Sequence, residues 1–483
     1  MPEQFSHNTF ISPFTWRYGS DEMRQLFSEV GTRTGWREMW CKLAETQAEY
    51  ELVSQQELAD IKSKSGSEYV DLKRAHEIED EIKHDLMAEV RTYAEQTPIG
   101  GGKIHLGATS MDIEDNYDAL RMKRATGVIL DRLANCLNST KRVIETYQTY
   151  PVIAWTHLQP AGVTTVGYRF ATYAQDLITN IENLEFVYSK IKGKGMKGIV
   201  GTSSSYKKLL ETKATPKEFE ERVMKKLGIE AYPVATQTYP RLQDYNVLST
   251  LAGIAVTTNK FATDLRFLMS PVIGEMAEPI GKSQVGSSAA PWKQNPKSSE
   301  RICALARYSM SLPQIAASNA SLSILERTLD DSANRRIIIP EGFLVIDEIL
   351  NSYRQILDGL VVRQNVIKSN IGRFWPFMAT EPLLMGLVKK GANRQEMHEK
   401  LRGYAFKAWD EVLESKPNPL KGYWLSDSEI VSRVGADEIE RISNPSDDTG
   451  DAIEKCDDFL KTYVNPVLAR YEGKFGKKAD SKF

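Results

Sequence analysis

The sequence has few of the residues that mark several common protein classes. Its 483 residues include four cysteines, Cys41, Cys136, Cys303 and Cys456, which are too scattered for a CxxC metal site or a dense disulfide framework. No uncharged apolar run approaches the ~18 residues that a membrane span needs, and the N-terminus has no basic stretch followed by an apolar core. We therefore expect free thiols and a cytoplasmic protein that makes no membrane contact.

An excess of charge of either sign is also absent. The chain has 62 lysines and arginines against 64 aspartates and glutamates, for a net charge of −2, so a basic surface for nucleic acid is not expected. The apolar share of 41% is ordinary for a globular protein. Because single cores stop growing near ~250 to 300 residues, we expect two or three domains and no nucleic-acid partner.

Three segments without proline keep apolar residues at helical spacing over unusual lengths. They are 113–150, 241–270 and 341–362, and the last follows Pro340, a residue favoured at a helix start. Helices of this length form bundles that often complete their cores by oligomerising. The sequence therefore predicts an all-α protein with a central long-helix bundle.

A glycine-, serine- and proline-rich segment without apolar periodicity joins two helical patterns, and its residues 282–296 are called the serine-rich loop below. The backbone N–H groups of Ser287 and Ser288, after a glycine, are suited to an anion-binding concavity. Lys293 adds a positive charge and Asn295 a neutral donor. These residues suit a carboxylate or an oxyanion, although a solvated connecting loop has the same composition.

Two further loops carry hydroxyls and a histidine. Thr109 and Ser110 follow a glycine-rich stretch and precede a long helical pattern, where they either cap the helix or bind a carboxylate at its positive end. His157 follows Thr156 just ahead of Pro160, which is expected to end regular structure. A histidine in such a loop is suited to exchange a proton near neutral pH, and a structural histidine is the alternative.

His84 and Asp85 are adjacent within a helical pattern. Adjacent residues of a helix are expected to point to different sides of it. A satisfied structural role for His84 is the alternative to a catalytic one.

Arginines cluster after the serine-rich loop. Arg327 and Arg336, with Ser332 between them, suit a phosphate if the segment is bent, because the guanidinium fork matches phosphate oxygens. Two neighbouring aspartates nearly balance these charges, so a salt-bridged surface helix is the alternative. Arg17, just ahead of an expected helix start, is a further candidate phosphate ligand or an ordinary surface arginine.

Gly193, Gly195 and Gly198 match the G-x-G-x-x-G pattern of dinucleotide-binding loops. That reading requires a preceding strand, and here a long helical pattern precedes the glycines. We therefore expect a turn that packs beside the site and no dinucleotide cofactor.

Seven ordered segments together resemble the adenylosuccinate lyase family of the fumarase/aspartase superfamily. They are Arg17-Tyr18, Lys83-His84-Asp85, His105–Ser110, Thr156–Pro160, Gln237–Tyr239, the serine-rich loop and Glu326–Ser332. The loop departs from the superfamily pattern at Ala290, where Met is typical, and at Gln294.

The resemblance implies three helical domains, which we expect at 1–110, 111–362 and 363–483. It also implies a homotetramer with active sites shared among three subunits. The implied substrates are purine nucleotides, adenylosuccinate and the succinyl-carboxamide ribotide of purine synthesis, each losing fumarate without a metal or cofactor. Ser287 matches the family's base and His157 its acid, and His84, Lys293 and Glu300 match further catalytic positions. The implied substrate-binding residues are Arg17, Tyr18, Asp85, Thr109, Ser110, Thr156, Gln237, Ser288, Asn295, Arg301, Arg327, Ser332 and Arg336.

Two other interpretations stay open at this point. A sister enzyme such as argininosuccinate lyase would keep the serine-rich loop but has no phosphate to bind, so Arg17, Arg327 and Arg336 distinguish the two. A non-catalytic structural protein on the same scaffold would keep the helices without the site residues.

Overall fold

The computed structural model describes residues 8–281, 283–443 and 449–476, so Lys282 at the start of the serine-rich loop lies outside the described residues. Within those ranges helices dominate, and the named strands form two small two-stranded sheets. The prediction of an all-α protein built from helical domains is confirmed.

The N-terminal helices are short, apart from one that packs along the central bundle. They are α1 (Asp21–Phe27), α2 (Glu29–Glu49), α3 (Gln55–Ser63), α4 (Leu72–Ile82) and α5 (Asp85–Gln96), with 3₁₀ turns at Pro13–Thr15, Ser67–Tyr69 and Gly101–Lys103. Serine hydroxyls accept backbone N–H groups at the starts of α1, α2 and α3, which satisfies donors that a helix start leaves open.

Five long helices form the central bundle: α6 (Ser110–Tyr147), α7 (Val166–Lys190), α10 (Leu242–Met269), α11 (Lys297–Leu322) and α12 (Ser332–Asp358). The shorter elements between them are β1 (Pro151–Thr156), β2 (Gln159–Thr165), α8 (Ser204–Leu210), α9 (Pro216–Leu227) and β3 (Met276–Ala277). The α6 and α10 bounds agree with two of the expected long helices.

Contacts between the long helices give their directions. Arg335, near the start of α12, pairs with Asp118 near the start of α6 (3.4 Å), whereas Ser139 meets Asp358 at the far ends of the same helices (2.6 Å). Thus α6 and α12 are parallel. Arg335 also pairs with Asp244 near the start of α10 (2.7 Å), and α7 and α11 run in the opposite direction. We call the starts of α6, α10 and α12 end A and their finishes end B.

Buried aromatic rings pack inside the bundle in the half nearer end B. Phe261 packs against Tyr353 with ring centroids 4.3 Å apart, and against Tyr173 at 5.3 Å. The Tyr173 hydroxyl donates to Asp264 (2.7 Å), which satisfies the polar end of an otherwise apolar contact. These contacts join α7, α10 and α12 into one core.

The C-terminal unit follows a second short strand, β4 (Val361–Val362), which pairs with β3 in an antiparallel sheet. Its elements are α13 (Gln364–Met378), α14 (Thr380–Lys389), α15 (Arg394–Leu413), α16 (Leu420–Ser426), α17 (Ser428–Val434), α18 (Ala436–Ile442), α19 (Ala452–Phe459), a π-helix (Leu460–Val464) and α20 (Asn465–Ala469). The domain boundaries expected at 110/111 and 362/363 stay predictions.

The expected helix start at Pro340 is wrong, because α12 begins at Ser332 and Pro340 lies inside it. A proline ring cannot donate the helical hydrogen bond. The buried ion pair between Arg335 and Asp244 holds the turns before the proline against α10 and offsets that loss.

All four cysteines are free and buried, as their spacing predicted. Across the part of the chain that the structure describes, no helix combines the length and the apolar character that crossing a membrane would require.

Candidate active site

A cluster of predicted site residues forms at end A. The Asp85 carboxylate pairs with the Arg336 guanidinium (2.6 Å), and the His84 Nε2 lies 3.4 Å from the Ser110 hydroxyl. His84 Nδ1 accepts the backbone N–H of Met87 (3.5 Å), and in the tautomer that matches this bond Nε2 carries a proton and donates to Ser110. Three separate elements, α5, α6 and α12, therefore meet here.

The expectation that His84 and Asp85 point to different sides of a helix is wrong. Lys83 takes a left-handed conformation (φ 55°) and ends α4, so that His84 becomes the N-cap of α5 and Asp85 its first residue. Side chains at an N-cap and at the first helical position both face the open end of the helix. Both residues consequently reach the cluster.

A cavity of about 460 Å³ opens beside this cluster. Arg327, Ser332 and Arg336 all line it, together with Asp85, so the three residues predicted to bind a phosphate open onto one cavity. The Arg336 side chain is 63% exposed despite its ion pair. Although burial by itself would raise the pKa of Asp85, the nearby Arg336 charge holds it below its usual value.

Glu114 also lines the cavity, and the sequence reasoning missed it. Burial, followed by the charges of Asp85 and Asp118, raises the pKa of the Glu114 carboxyl to about 8. Glu114 lies one helical turn after Ser110, and this i,i+4 spacing was the available signal. At neutral pH the cavity thus contains a protonated carboxyl group.

The neighbouring arginine, Arg335, has a different role. Its guanidinium is buried and bonds to Asp244 and to the Tyr239 hydroxyl, each at 2.7 Å. Arg327 makes one ion pair, to Asp331 (2.8 Å), at the cavity wall. Two of the three clustered arginines therefore reach the cavity with bonding capacity to spare, and the third holds helices together.

A buried carboxylate organises the start of α6. Asp112 accepts the backbone N–H of Thr109 (3.1 Å) and those of Lys197 and Gly198 (3.2 and 3.1 Å). The Lys194 ammonium, also fully buried, lies 2.5 Å from the same carboxylate. The turn formed by Gly193, Gly195 and Gly198 therefore packs beside the Thr109-Ser110 pair.

Gln237 lies on a loop at the same end of the bundle. Its backbone N–H donates to the Glu326 carbonyl (3.2 Å), and its side-chain amide donates to the Ile199 carbonyl (3.2 Å). Gln237 thereby joins the loop that carries Arg327 to the glycine-rich side of end A.

His157 lies at the opposite end, at the tip of the β1–β2 hairpin. His157 and Leu158 both have positive φ, 55° and 61°, the signature of a two-residue type I′ turn. Thr156 precedes the turn and is exposed. Pro160 lies inside β2, contrary to the expected end of regular structure, because a strand in a two-stranded sheet has an edge where the missing N–H is tolerated.

The serine-rich loop also lies at end B, between β3 and α11. The Ser287 Oγ accepts the backbone N–H groups of Ala289 (3.3 Å) and Ala290 (3.1 Å). Asn295 donates its amide to the Gly286 carbonyl (3.0 Å). A Cβ on Gly286 would lie 1.8 Å from the Lys293 carbonyl oxygen, so the loop crosses itself where only glycine fits.

Ser288 and Lys293 expose their side chains on this loop, and Glu300 does so in the first turn of α11. The loop is closed at its base by Glu278, which the sequence reasoning missed. The buried Glu278 carboxylate accepts the N–H groups of Ser298 (2.8 Å) and Ser299 (2.9 Å), which fixes the start of α11 at the stem.

Arg17 and Tyr18 form a third group along the side of the bundle. The adjacent Gly19 N–H donates to Glu348 of α12 (3.1 Å), and Arg301 of α11 lies 3.6 Å from the same carboxylate. Arg301 and the Arg17-Tyr18 pair therefore approach each other through Glu348.

The predicted site residues do not meet within one chain. The 28 residues of α10 span about 40 Å at 1.5 Å per residue, and they separate the His84 cluster at end A from His157 and Ser287 at end B. Among the described residues, no hydrogen bond or ion pair joins His157 to Ser287 or to His84. A single chain presents these predicted site residues on separate surfaces.

Comparisons with known proteins agree with this architecture. A family model described as Lyase matches residues 20–308, and a model described as Adenylosuccinate lyase C-terminus matches residues 376–459. Among solved structures, a fumarate lyase from a Mesorhizobium species has a TM-score of 0.81 at 21% identity, covering 92% of this chain and 99% of its own. A 3-carboxy-cis,cis-muconate lactonizing enzyme from Pseudomonas putida has a TM-score of 0.82 at 20% identity, covering 95% and 99%.

Curated relatives are more similar in sequence. The adenylosuccinate lyase of Saccharomyces cerevisiae is 36% identical over 98% of both chains, and that of Schistosoma mansoni is 37% identical over 96% of both. The adenylosuccinate lyase of Pyrococcus abyssi is 34% identical over 83% of this chain and 88% of its own. With a helical bundle, a serine-rich loop and relatives of this similarity over nearly its whole length, the chain belongs to the adenylosuccinate lyase family of the fumarase/aspartase superfamily.

Proposed function

We propose that the protein is a lyase that eliminates fumarate from adenylosuccinate, giving AMP, and from the succinyl-carboxamide ribotide, giving the carboxamide ribotide, in purine biosynthesis. The observation that carries this proposal is the cavity at end A, which Arg327, Ser332 and Arg336 line together with Asp85. Two guanidinium forks and a hydroxyl suit a nucleotide phosphate. Argininosuccinate has no phosphate and would leave these groups without a ligand.

Ser287 would be the base that removes the proton from the carbon next to the succinyl carboxylate. A serine hydroxyl ionises with difficulty, and an oxygen that already accepts two backbone N–H groups is better able to hold negative charge. Those donors are Ala289 and Ala290. Lys293, and Ser288 and Asn295 around it, would bind the carboxylate on which charge develops during proton removal.

His157 would be the acid that protonates the departing nitrogen, with Thr156 beside it. His157 is exposed at the tip of the hairpin, where it would meet a substrate held by another surface. His84 and Ser110, with Asp85 and Thr109, would hold the substrate at end A next to the phosphate. Proton removal and proton donation would thus come from two different segments of end B.

A complete site would require several copies of the chain, because its parts lie about 40 Å apart along helices such as α10. We infer a homotetramer in which end A of one chain, the hairpin of a second and the serine-rich loop of a third form each site. Large apolar side chains on the bundle are solvent-exposed in the single chain, among them Phe186 (63%) and Val256 (53%). Burying such residues against other copies favours assembly.

We place this activity in the cytoplasm. Four buried, unpaired cysteines fit a reducing compartment, where structural disulfides are rare.

The direct test is fumarate release from adenylosuccinate, followed by ultraviolet absorbance. We expect turnover by the parent protein and a loss of about 10² to 10⁴ in kcat for His157→Ala and for Ser287→Ala, the usual range for one acid–base group. Far-ultraviolet circular dichroism should remain that of the parent. Activity on argininosuccinate in place of adenylosuccinate would refute the proposed substrate.

Shared sites predict recovery of activity by mixing two inactive variants. His84→Ala damages end A, and His157→Ala damages end B. After mild dissociation and reassembly, some sites would combine an intact end A from one chain with an intact end B from the other, so fumarate release should return. Each variant reassembled alone is the control. No recovery in tetramers shown by mass spectrometry to be mixed would contradict sharing.

Arg336→Ala should weaken binding of the phosphate more than it affects chemistry. A charged hydrogen bond contributes ~1.5 to 3 kcal/mol, so KM for adenylosuccinate should rise by more than about tenfold. The dephosphorylated nucleoside, a poor substrate for the parent, should lose little further. Arg394→Ala, an exposed arginine in the C-terminal unit, is the matched control. Equal losses on both substrates would assign Arg336 a purely structural role.

The raised pKa of Glu114 predicts that substrate binding depends on pH. Its carboxyl is neutral below its pKa of about 8 and gains a negative charge beside Arg336 as the pH rises through that value, which repels the phosphate. KM should therefore increase from about pH 7 to about pH 9 in the parent and remain flat in Glu114→Gln. Glu145→Gln, at the far end of α6, should keep the parent's profile. A flat KM in the parent would show that Glu114 does not face the substrate.

A further inference from the structure

Glu275 lies where several parts of the chain meet at end B, and its carboxylate is fully buried. Its Oε2 accepts the indole N–H of Trp155 in β1 (3.4 Å), and its Oε1 accepts the amide N–H of Asn370 in α13 (3.1 Å). The Arg169 guanidinium, at the start of α7, lies 3.7 Å from Oε2. One carboxylate thus contacts the hairpin, the bundle and the C-terminal unit.

The hairpin that carries His157 depends on such contacts for its orientation. A two-stranded hairpin is at best marginally stable by itself, and this one has a register shift between Ala154 and Trp155. Trp155 lies two residues before His157, and the edge of its ring packs against Phe374 of α13 with centroids 5.9 Å apart. The indole is therefore held between Glu275 on one side and the C-terminal unit on the other.

The backbone of Glu275 belongs to the stem of the serine-rich loop. Its carbonyl accepts the N–H of Arg363 (2.8 Å), and the next residue, Met276, begins the β3–β4 sheet. Glu278, three residues on, closes the base of the loop against α11. A displacement of Glu275 would therefore be transmitted both to the hairpin and to the stem that carries Ser287.

We propose that Glu275 is a positioning residue for the elimination: through the Trp155 indole it sets the orientation of the hairpin that carries His157, and through its own backbone it sets that of the stem of the serine-rich loop. In the inferred tetramer the hairpin and the loop of one chain belong to different active sites, so one carboxylate orients a reacting segment in each of two sites. This inference rests on the proposed function. A reacting group displaced by about 1 Å costs turnover, because the productive geometry is populated less often. Substrate affinity, which depends mainly on end A, changes little.

The partners of Glu275 are all hydrogen-bond donors, so this position suits a carboxylate better than an amide. Trp155, Asn370 and Arg169 all present N–H donors to Glu275. A glutamine has the same shape, but its amide turns an N–H towards at least one of these donors and removes the attraction to Arg169. Glu275→Gln should therefore disturb the hairpin without opening a cavity in the core.

The experiment is a double-mutant cycle on turnover. Glu275→Gln and Trp155→Phe, which deletes the indole N–H and keeps an aromatic ring, should each lower kcat by about tenfold and leave KM within about twofold. The double variant should be no slower than the slower single variant, because both changes remove one shared contact. Independent losses that multiply to about a hundredfold, or a kcat unchanged in both single variants, would overturn the proposal.

Trp375→Phe is the matched control, since it deletes an indole N–H that donates to the Ile442 carbonyl (3.2 Å) inside the C-terminal unit. The kcat of Trp375→Phe should equal that of the parent. A loss of kcat in Trp375→Phe as large as that in Glu275→Gln would show that Glu275 acts only through general packing.

Hydrogen exchange gives a readout that does not depend on activity. Amides of residues 151–165 should exchange faster in Glu275→Gln and in Trp155→Phe than in the parent or in Trp375→Phe. Unchanged exchange would overturn the positioning role. A parent protein that releases no fumarate would instead refute the proposed function, while the exchange result would still decide whether Glu275 orients the hairpin.

Discussion

A buried set of ion pairs at end A holds the starts of three long helices together. Arg241 donates to Asp115 of α6 (3.0 Å) and to Asp331 just before α12 (2.7 Å), and Arg335 of α12 donates to Asp244 of α10 (2.7 Å). Breaking one partner of a buried pair typically costs ~3 to 5 kcal/mol, since the other charge is left without water or a counter-ion. These pairs fix the relative positions of the elements that line the end A cavity.

The two ends of these rigid helices would have different roles in the reaction. In the proposed mechanism, elements fixed at end A bind the substrate through charge and hydroxyl groups, whereas end B carries the hairpin and the serine-rich loop on short two-stranded sheets and loops. Segments with few buried apolar contacts open at low free energy. The proposed mechanism thereby assigns binding to the most constrained part of the chain, and proton transfer to segments that would adjust to a substrate held by another copy.

Sequence reasoning predicted the helical fold and the family, and both are confirmed. Helical periodicity located α6 and α10 because long amphipathic patterns are strong local signals. It failed at Pro340 and at His84, where ion pairs and a left-handed Lys83 override local propensity. Glu275 could not be recognised from sequence, since its partners lie on β1, α7 and α13 and nothing local marks a buried carboxylate. To assign residues to end A or end B, the directions of the helices had to be known.

The turn at His157 and Leu158 has one more consequence. Two-residue turns with positive φ at both positions favour asparagine and glycine, and a histidine followed by a leucine pays a conformational penalty there. An asparagine-glycine pair would relax the backbone and remove the proposed acid. Folding stability and the proposed acid role therefore favour different residues at the same two positions. Replacing His157 and Leu158 by the residues that this turn prefers would stabilise the fold and lower turnover.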